Sequence, residues 1–268
     1  MNNYIIPSND RGISESIGFM LIFTIVIAGI ALVTLYGYPL LLQQQLGAEE
    51  KIMEKNMIVL QNDIKSLAYK TVPFKETSLK IGGGSLTVYD SLVTNPSAST
   101  SKISIYNSAN EYYIESFQPG ELRYESVSAQ TDISLQNGAV VMRPRIQPGS
   151  VMLAEPRWFY DGPTNSMVIN LVNITSTDLM AKEGIGTVRM KLVGEPYYNE
   201  TPLSVNNPIY LRYTTDPAQD YSVAWSNYFT EKLNMIETAT PGIYTLPIDN
   251  TREGRLVIKK FEVEIQAI

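Results

Sequence analysis

The stretch SIGFMLIFTIVIAGIALVTL, residues 16–35, decides the architecture. It holds no charged residue, and the chain stays uncharged from Ser16 to Ala48, between Glu15 and Glu49. As a helix its 20 residues extend about 30 Å, the thickness of a bilayer's hydrocarbon core. Tyr36 and Tyr38 follow, where aromatic rings settle among lipid headgroups. A helix buried in a soluble core seldom runs so far without a charge. A secretory signal has a shorter apolar core and a basic start, whereas only Arg11, offset by Asp10, precedes this one. The sequence predicts a retained membrane helix.

The helical pattern continues beyond it. Leu46, Met53, Met57, Leu60, Ile64 and Leu67 recur at heptad-like spacing, with Glu49, Glu50, Lys51, Glu54, Lys55, Asp63 and Lys65 on the other faces. Pro73 ends the pattern, and Pro39, with Gly37, is expected to kink it. The stripe either packs on the chain's own globular part or on neighbouring copies.

After Pro73 the period changes from helical to alternating. Expected strands are Ser78–Ile81, Ser85–Tyr89, Lys102–Tyr106, Tyr112–Phe117, Glu121–Glu125, Ala139–Arg143 and Val151–Leu153. Met167–Val172, Thr187–Leu192, Tyr210–Tyr213, Gly242–Leu246 and Arg255–Ile268 complete the set. Turn signals separate them, among them Gly82-Gly83-Gly84, Pro119-Gly120 and Asn137-Gly138. Ser222 to Met235 reads as a short helix capped by Ser222. The expected fold class is α+β: a long N-terminal transmembrane helix followed by an antiparallel β-sandwich-like domain.

Composition excludes much chemistry. The 268 residues include no His and no Cys, so imidazole bases, Ser-His-Asp triads, thiolate nucleophiles and disulfides are absent. A net charge of −6 argues against a nucleic-acid partner. Gly82-Gly83-Gly84 lacks the Gly-Lys-Ser/Thr of a phosphate loop. Glu155, Asp161, Asp216 and Asp220 lack calcium-loop spacing, and no carboxylate pair stands out as catalytic. Trp158-Phe159-Tyr160, Tyr112-Tyr113 and Tyr197-Tyr198 suit either the core or a sugar-binding patch. No metal and no cofactor is expected. Asn173-Ile174-Thr175 and Asn199-Glu200-Thr201 are sequons, making Asn173 and Asn199 the expected glycosylation sites of an external domain.

Asp10-Arg11-Gly12-Ile13-Ser14-Glu15-Ser16-Ile17-Gly18 stands directly before the apolar run. This junction resembles the class III signal of archaeal type IV pilin or archaellin-like prepilins. Gly120-Glu121-Leu122-Arg123-Tyr124 and Asn137-Gly138-Ala139-Val140 are similar to an uncharacterised family of pilin-like archaeal envelope proteins. The resemblance implies a leader over residues 1–12, a helix over 13–72 and an extracellular β-rich domain over 73–268. It implies processing at Arg11, Gly12 and Ile13, with Ile13 the new N-terminus. It also implies a non-enzymatic subunit of a cell-surface filament that serves adhesion or cell contact.

Assembly residues would be Glu15, Ile17, Phe19, Ile22, Phe23, Val26, Ile30 and Val33, with Thr24, Ala28, Gly29 and Ala31 letting helices approach. Glu15 either pairs with the amino group of Ile13 or favours the positive end of the helix. The implied partners are copies of the chain in a helical homopolymer, a prepilin peptidase, a pilus assembly platform and the membrane. Two other readings stand beside it: a monomeric membrane-anchored surface binding protein, and an anchored carboxylate-dependent hydrolase.

Overall fold

The computed structural model describes residues 10–70, 72–91, 101–127, 129–249 and 253–268, with the side chains of 10–15 outside that description. The chain divides into two units, Met1–Ala48 and Glu49–Ile268.

The first unit is helical throughout its described length. Helix α1 runs Asp10–Leu32, so it starts three residues before the expected Ile13. A π turn, Val33–Gly37, leads into α2, Tyr38–Tyr69. Pro39 accounts for the π turn. Its ring collides with the carbonyl four residues back and it has no N–H to give. The helix answers with a wider turn, in which the Tyr38 N–H reaches back to the Val33 carbonyl. The expected interruption at Gly37-Pro39 is thus a π turn that the helix passes through. Thr24 and Thr34 donate their hydroxyls to the Met20 and Ile30 carbonyls at 2.7 and 2.9 Å. Both threonine hydroxyls are thus satisfied within the helix.

The second unit holds the rest of α2, two sheets and a short helix. The first strands are β1 (Phe74–Tyr89), β2 (Lys102–Asn107), β3 (Tyr112–Phe117), β4 (Glu121–Ser126), β5 (Thr131–Gln136), β6 (Ala139–Pro144) and β7 (Val151–Ala154). They are followed by β8 (Phe159–Asp161), β9 (Ser166–Ser176), β10 (Ala181–Leu203), β11 (Ile209–Thr214), β12 (Ile236–Glu237), β13 (Ile243–Thr245) and β14 (Gly254–Ala267). Nine strands form one sheet, in the order β7-β6-β5-β4-β1-β10-β14-β9-β8, and five form another, β12-β13-β11-β2-β3. Pairing is antiparallel except between β14 and β9, which run parallel from Arg255↔Ser166 to Ile265↔Ser176.

The large sheet is covered on both faces, and alternation divides its residues between two cores. Met167, Ile169, Leu171, Leu256 and Ile258 face the small sheet. There they meet Ile103, Ile105, Leu211 and Tyr213, together with Trp225, Tyr228 and Phe229. Those three rings come from α3, Ser222–Asn227, and the π turn Tyr228–Lys232 that continues it. Val172, Ile174, Val263 and Ile265 point the other way, where Met53, Met57, Leu60, Ile64 and Leu67 of α2 lie. The heptad stripe therefore packs on its own sheet. At roughly 2 kcal/mol for each fully buried side chain, these five contribute on the order of 10 kcal/mol before entropy is subtracted.

The structure departs from the sequence reading in several places. Gly82-Gly83-Gly84 is not a turn between two strands but a bulge inside β1, where the register shifts between Ile81 and Leu86. A Cβ on Gly84 would lie 2.2 Å from the Glu125 carbonyl oxygen of the neighbouring strand. β10 is 23 residues long where only Thr187–Leu192 is expected, because register shifts break its alternation. β5, β8 and β12 lie outside the expected strands. Ser222 is not a cap: α3 has no side-chain cap, and Asp220 Oδ1 accepts the Ser222 N–H at 2.8 Å.

Candidate functional site

The feature that asks for a function is α1. Ile17, Phe19, Ile22, Phe23, Val26, Ile30 and Val33 are each between 52% and 73% exposed. Apolar residues cover all sides of this helix rather than one stripe, so no single packing partner within a soluble fold would satisfy it. Phe19 and Phe23, one turn apart, stack with ring centroids 6.2 Å apart. The helix is long and apolar enough to cross a membrane, and none of its most apolar window is buried. The apolar residues among those expected to mediate assembly are thus all exposed along this helix.

The expected processing residues Arg11, Gly12 and Ile13 lie within α1, but their side chains, and that of Glu15, lie outside the described residues.

Of the two expected glycosylation sites, one is corrected. Asn173 is 6% exposed in the interior of β9. It lies at the floor of a surface pocket with Tyr113, Phe117 and Lys260, which a glycan on it would have to fill. Asn199, on β10, is half-buried and donates its amide to Tyr197 Oη at 3.2 Å.

A buried ionic network lies on the opposite face of β4 and β5 from α2. Arg123, 1% exposed, contacts Glu121 through Nη2 and Glu125 through Nη1, the latter at 3.3 Å, and stacks on Tyr89 at 4.2 Å. Ser134 Oγ donates to Glu121. Asp132 accepts from Arg143 Nη2 at 2.8 Å and faces Arg145 Nε at 3.1 Å. Burial pushes its carboxyl above the usual carboxylate range, opposed by Arg143 and then Arg145. Ser101 and Tyr213 extend the network from the small sheet, with Tyr213 Oη donating to Ser101 Oγ at 2.9 Å and Ser101 Oγ to Gln136 at 2.7 Å. Glu121 and Asp132 are 2% and 1% exposed, and each is matched to a guanidinium. No substrate reaches them in this arrangement, so the network orders the core rather than offering a hydrolytic pair.

Its sequence signal is Gly120-Glu121-Leu122-Arg123-Tyr124. Gly120 has φ +61°, and a Cβ there would lie 2.2 Å from the Ile174 carbonyl, so only glycine lets β4 start where Glu121 enters the network. The second quoted motif is structural as well. Asn137-Gly138 closes the β5–β6 hairpin with φ of 47° and 71°. Asn137 Oδ1 accepts the Val172 N–H at 2.9 Å, and Gln61 of α2 donates to the Gly138 carbonyl at 2.7 Å.

The acidic residues weighed as calcium ligands do not converge. Asp216 caps the Ala218 N–H, Asp220 takes the Ser222 N–H, Asp161 accepts from Thr164, and Glu155 pairs with Lys232 at 3.1 Å. Among the described residues no cluster of acidic side chains is arranged to hold a metal ion.

Neither the curated proteins nor the solved structures offer a match to this chain. A family model matches residues 11–265, which takes in α1, the ionic network and both sheets. The chain belongs to that family, described as a family of unknown function (DUF7289).

Proposed function

We propose that the protein is a pilin-like subunit of a cell-surface filament. A leader ending at Gly12 is removed, α1 anchors the subunit in the membrane and then enters the filament core, and the β domain is displayed outside for adhesion or cell contact. The observation that carries this reading is the apolar surface of α1, uncovered on every side. In a bilayer that surface is satisfied by lipid. Outside it, at about 25 cal/mol per Å² of apolar area, bundling with identical helices is the strongest available way to bury it. Ala28, Gly29 and Ala31 permit the close approach such bundling needs. The heptad stripe of α2 is already used by the chain's own sheet, which supports a self-association surface on α1 rather than on α2. No catalytic step is assigned to the protein, and Asn199 is the glycosylation site retained.

The test is the intact mass of the protein from its native membrane or surface fraction, with electron microscopy of the same fraction. A chain starting at Ile13, together with filaments that lose the protein when Val26 and Ile30 become Asp, is the expected result. A chain starting at Met1 with no filaments refutes the proposal and favours a permanently anchored monomer.

A further inference from the structure

Next to the C-terminal end of α2, on the same face of the large sheet, two cross-strand rows continue beyond the helix, with Phe159 and Tyr198 exposed at their ends and Val257 and Asn170 buried between. Phe159, Val168 and Val257 lie side by side on β8, β9 and β14, and Asn170, Lys259 and Tyr198 on β9, β14 and β10. The rows are two residues apart along the strands, about 6.6 Å. Tyr69 and Arg157 close one side, and together these residues bound an open groove of about 760 Å³.

Its chemistry differs from that of the rest of the molecule. The chain carries a net −6, yet the groove lining contains Arg157 and Lys259 and no carboxylate among the described residues. Neither cation takes part in an ion pair with a described residue. The acids beside the groove are engaged: Glu155 by Lys232 at 3.1 Å, and Glu200, next to Val257 on β10, by Arg255 at 3.1 Å and by the Tyr198 hydroxyl at 2.5 Å. Each cation instead rests on a ring, Arg157 over Tyr69 at 4.5 Å and Lys259 over Tyr198 at 5.7 Å. Phe159 and Tyr198 are 50% and 55% exposed. Positive charge accumulates beside the groove as well: burial, and next the charge of Arg157, lowers the pKa of Lys65.

Exposed rings at a sheet surface stack against the apolar faces of sugar rings. A planar guanidinium takes a carboxylate in two parallel hydrogen bonds. A ligand that offers both in an extended form, with no cationic groups of its own, is an acidic polysaccharide. We infer that this groove binds a uronate-bearing polysaccharide strand, with sugar faces on Tyr198 and Phe159 and carboxylates on Arg157 and Lys259. The inference deepens the adhesive role proposed above and rests on the β domain being displayed at the surface.

The test is calorimetric titration of the full chain in detergent micelles with alginate, a polyuronate, and in parallel with dextran and with polyglutamate. Alginate is expected to bind at least tenfold more tightly than either of the others. Tyr198→Ala is expected to weaken alginate binding about tenfold, and the pair Arg157→Gln, Lys259→Gln to abolish the preference over dextran. These side chains are partly or largely exposed, so the urea midpoints of both variants should match the parent. No alginate binding overturns the inference. So does equal binding of dextran, which would need no cations, or of polyglutamate, which would mean a site for acidic peptide. Alginate affinity unchanged in both variants also overturns it. Because the micellar protein need not polymerise, an absence of filaments leaves a positive titration standing, and the two failures remain distinct.

Discussion

Gln61→Leu tests how α2 is fastened to the sheet. Gln61 is 1% exposed in the middle of an otherwise apolar stripe. Its Nε2 donates to the Gly138 carbonyl at 2.7 Å and to the Glu155 carbonyl at 2.9 Å. Leu has a similar volume, so no large cavity opens. The loss is the two hydrogen bonds and, above all, the desolvation of carbonyls left without a donor. A buried orphan costs about 1–3 kcal/mol. The Gly138 carbonyl lies in a buried turn and bears the full cost, while the Glu155 carbonyl is partly wet and also takes Lys65 Nζ at 3.2 Å. Added apolar area recovers about 1 kcal/mol, which leaves a net destabilisation of about 1–3 kcal/mol. The assay is urea unfolding of the full chain in micelles, followed by the fluorescence of Trp158 and Trp225. Both lie in the core between the sheets, on the other face of the large sheet from Gln61, and report the whole domain. The midpoint should fall with the slope unchanged. A variant as stable as the parent, or more so, would refute the idea that the amide clamps the Asn137-Gly138 hairpin.

Leu60→Ala should cost about 2–5 kcal/mol in the same assay, and Ile52→Ala, 44% exposed on the same helix, less than about 0.5. Arg123→Met leaves Glu121 and Glu125 without their shared guanidinium and should cost about 3–5 kcal/mol, measured by thermal unfolding; a neutral result would mean the network is not coupled. Gly84→Ala forces a Cβ against the Glu125 carbonyl and should cost more than about 2 kcal/mol. Burial raises the phenol of Tyr221 to about 12. The unfolded chain then ionises first, so this contribution is whole below about pH 10 and fades as pH rises towards 12. It amounts to about 3 kcal/mol. Urea midpoints that do not fall across that window would contradict it.

Where side chains face one environment per side, the sequence states the structure. The charge-free run from Ser16 and the stripe from Met53 to Leu67 are legible because a helix repeats its environment every turn. β14 is legible because Phe261, Val263 and Ile265 alternate with glutamates. The large sheet obscures itself elsewhere because it is buried on both faces. In β5 the second face is polar yet buried, so Asp132, Ser134 and Gln136 look like solvent positions. β10 and β1 conceal their length because bulges shift the phase within one strand. The groove was half legible. Trp158-Phe159-Tyr160 and Tyr197-Tyr198 are aromatic clusters in sequence, but only the parallel β9–β14 pairing places Phe159 and Tyr198 on one face of the sheet with Lys259 between their strands. The buried Asn173 shows the limit of a three-residue motif, which does not encode on which side of a strand its asparagine lies.

The place of β14 in the large sheet has a consequence for biogenesis. β14 follows every other described strand, yet it lies inside the sheet, between β10 and β9. Until Gly254–Ala267 has been made, β10 and β9 lack the strand that pairs with both of them. The apolar helix emerges about 200 residues earlier, which at 5–20 residues per second is roughly 10–40 s. During that interval the helix can engage the membrane while the following chain is still unfolded. On the display outside the cell proposed above, a passenger in that state would be threaded through a translocation channel, and β14 would join the sheet only after it had crossed.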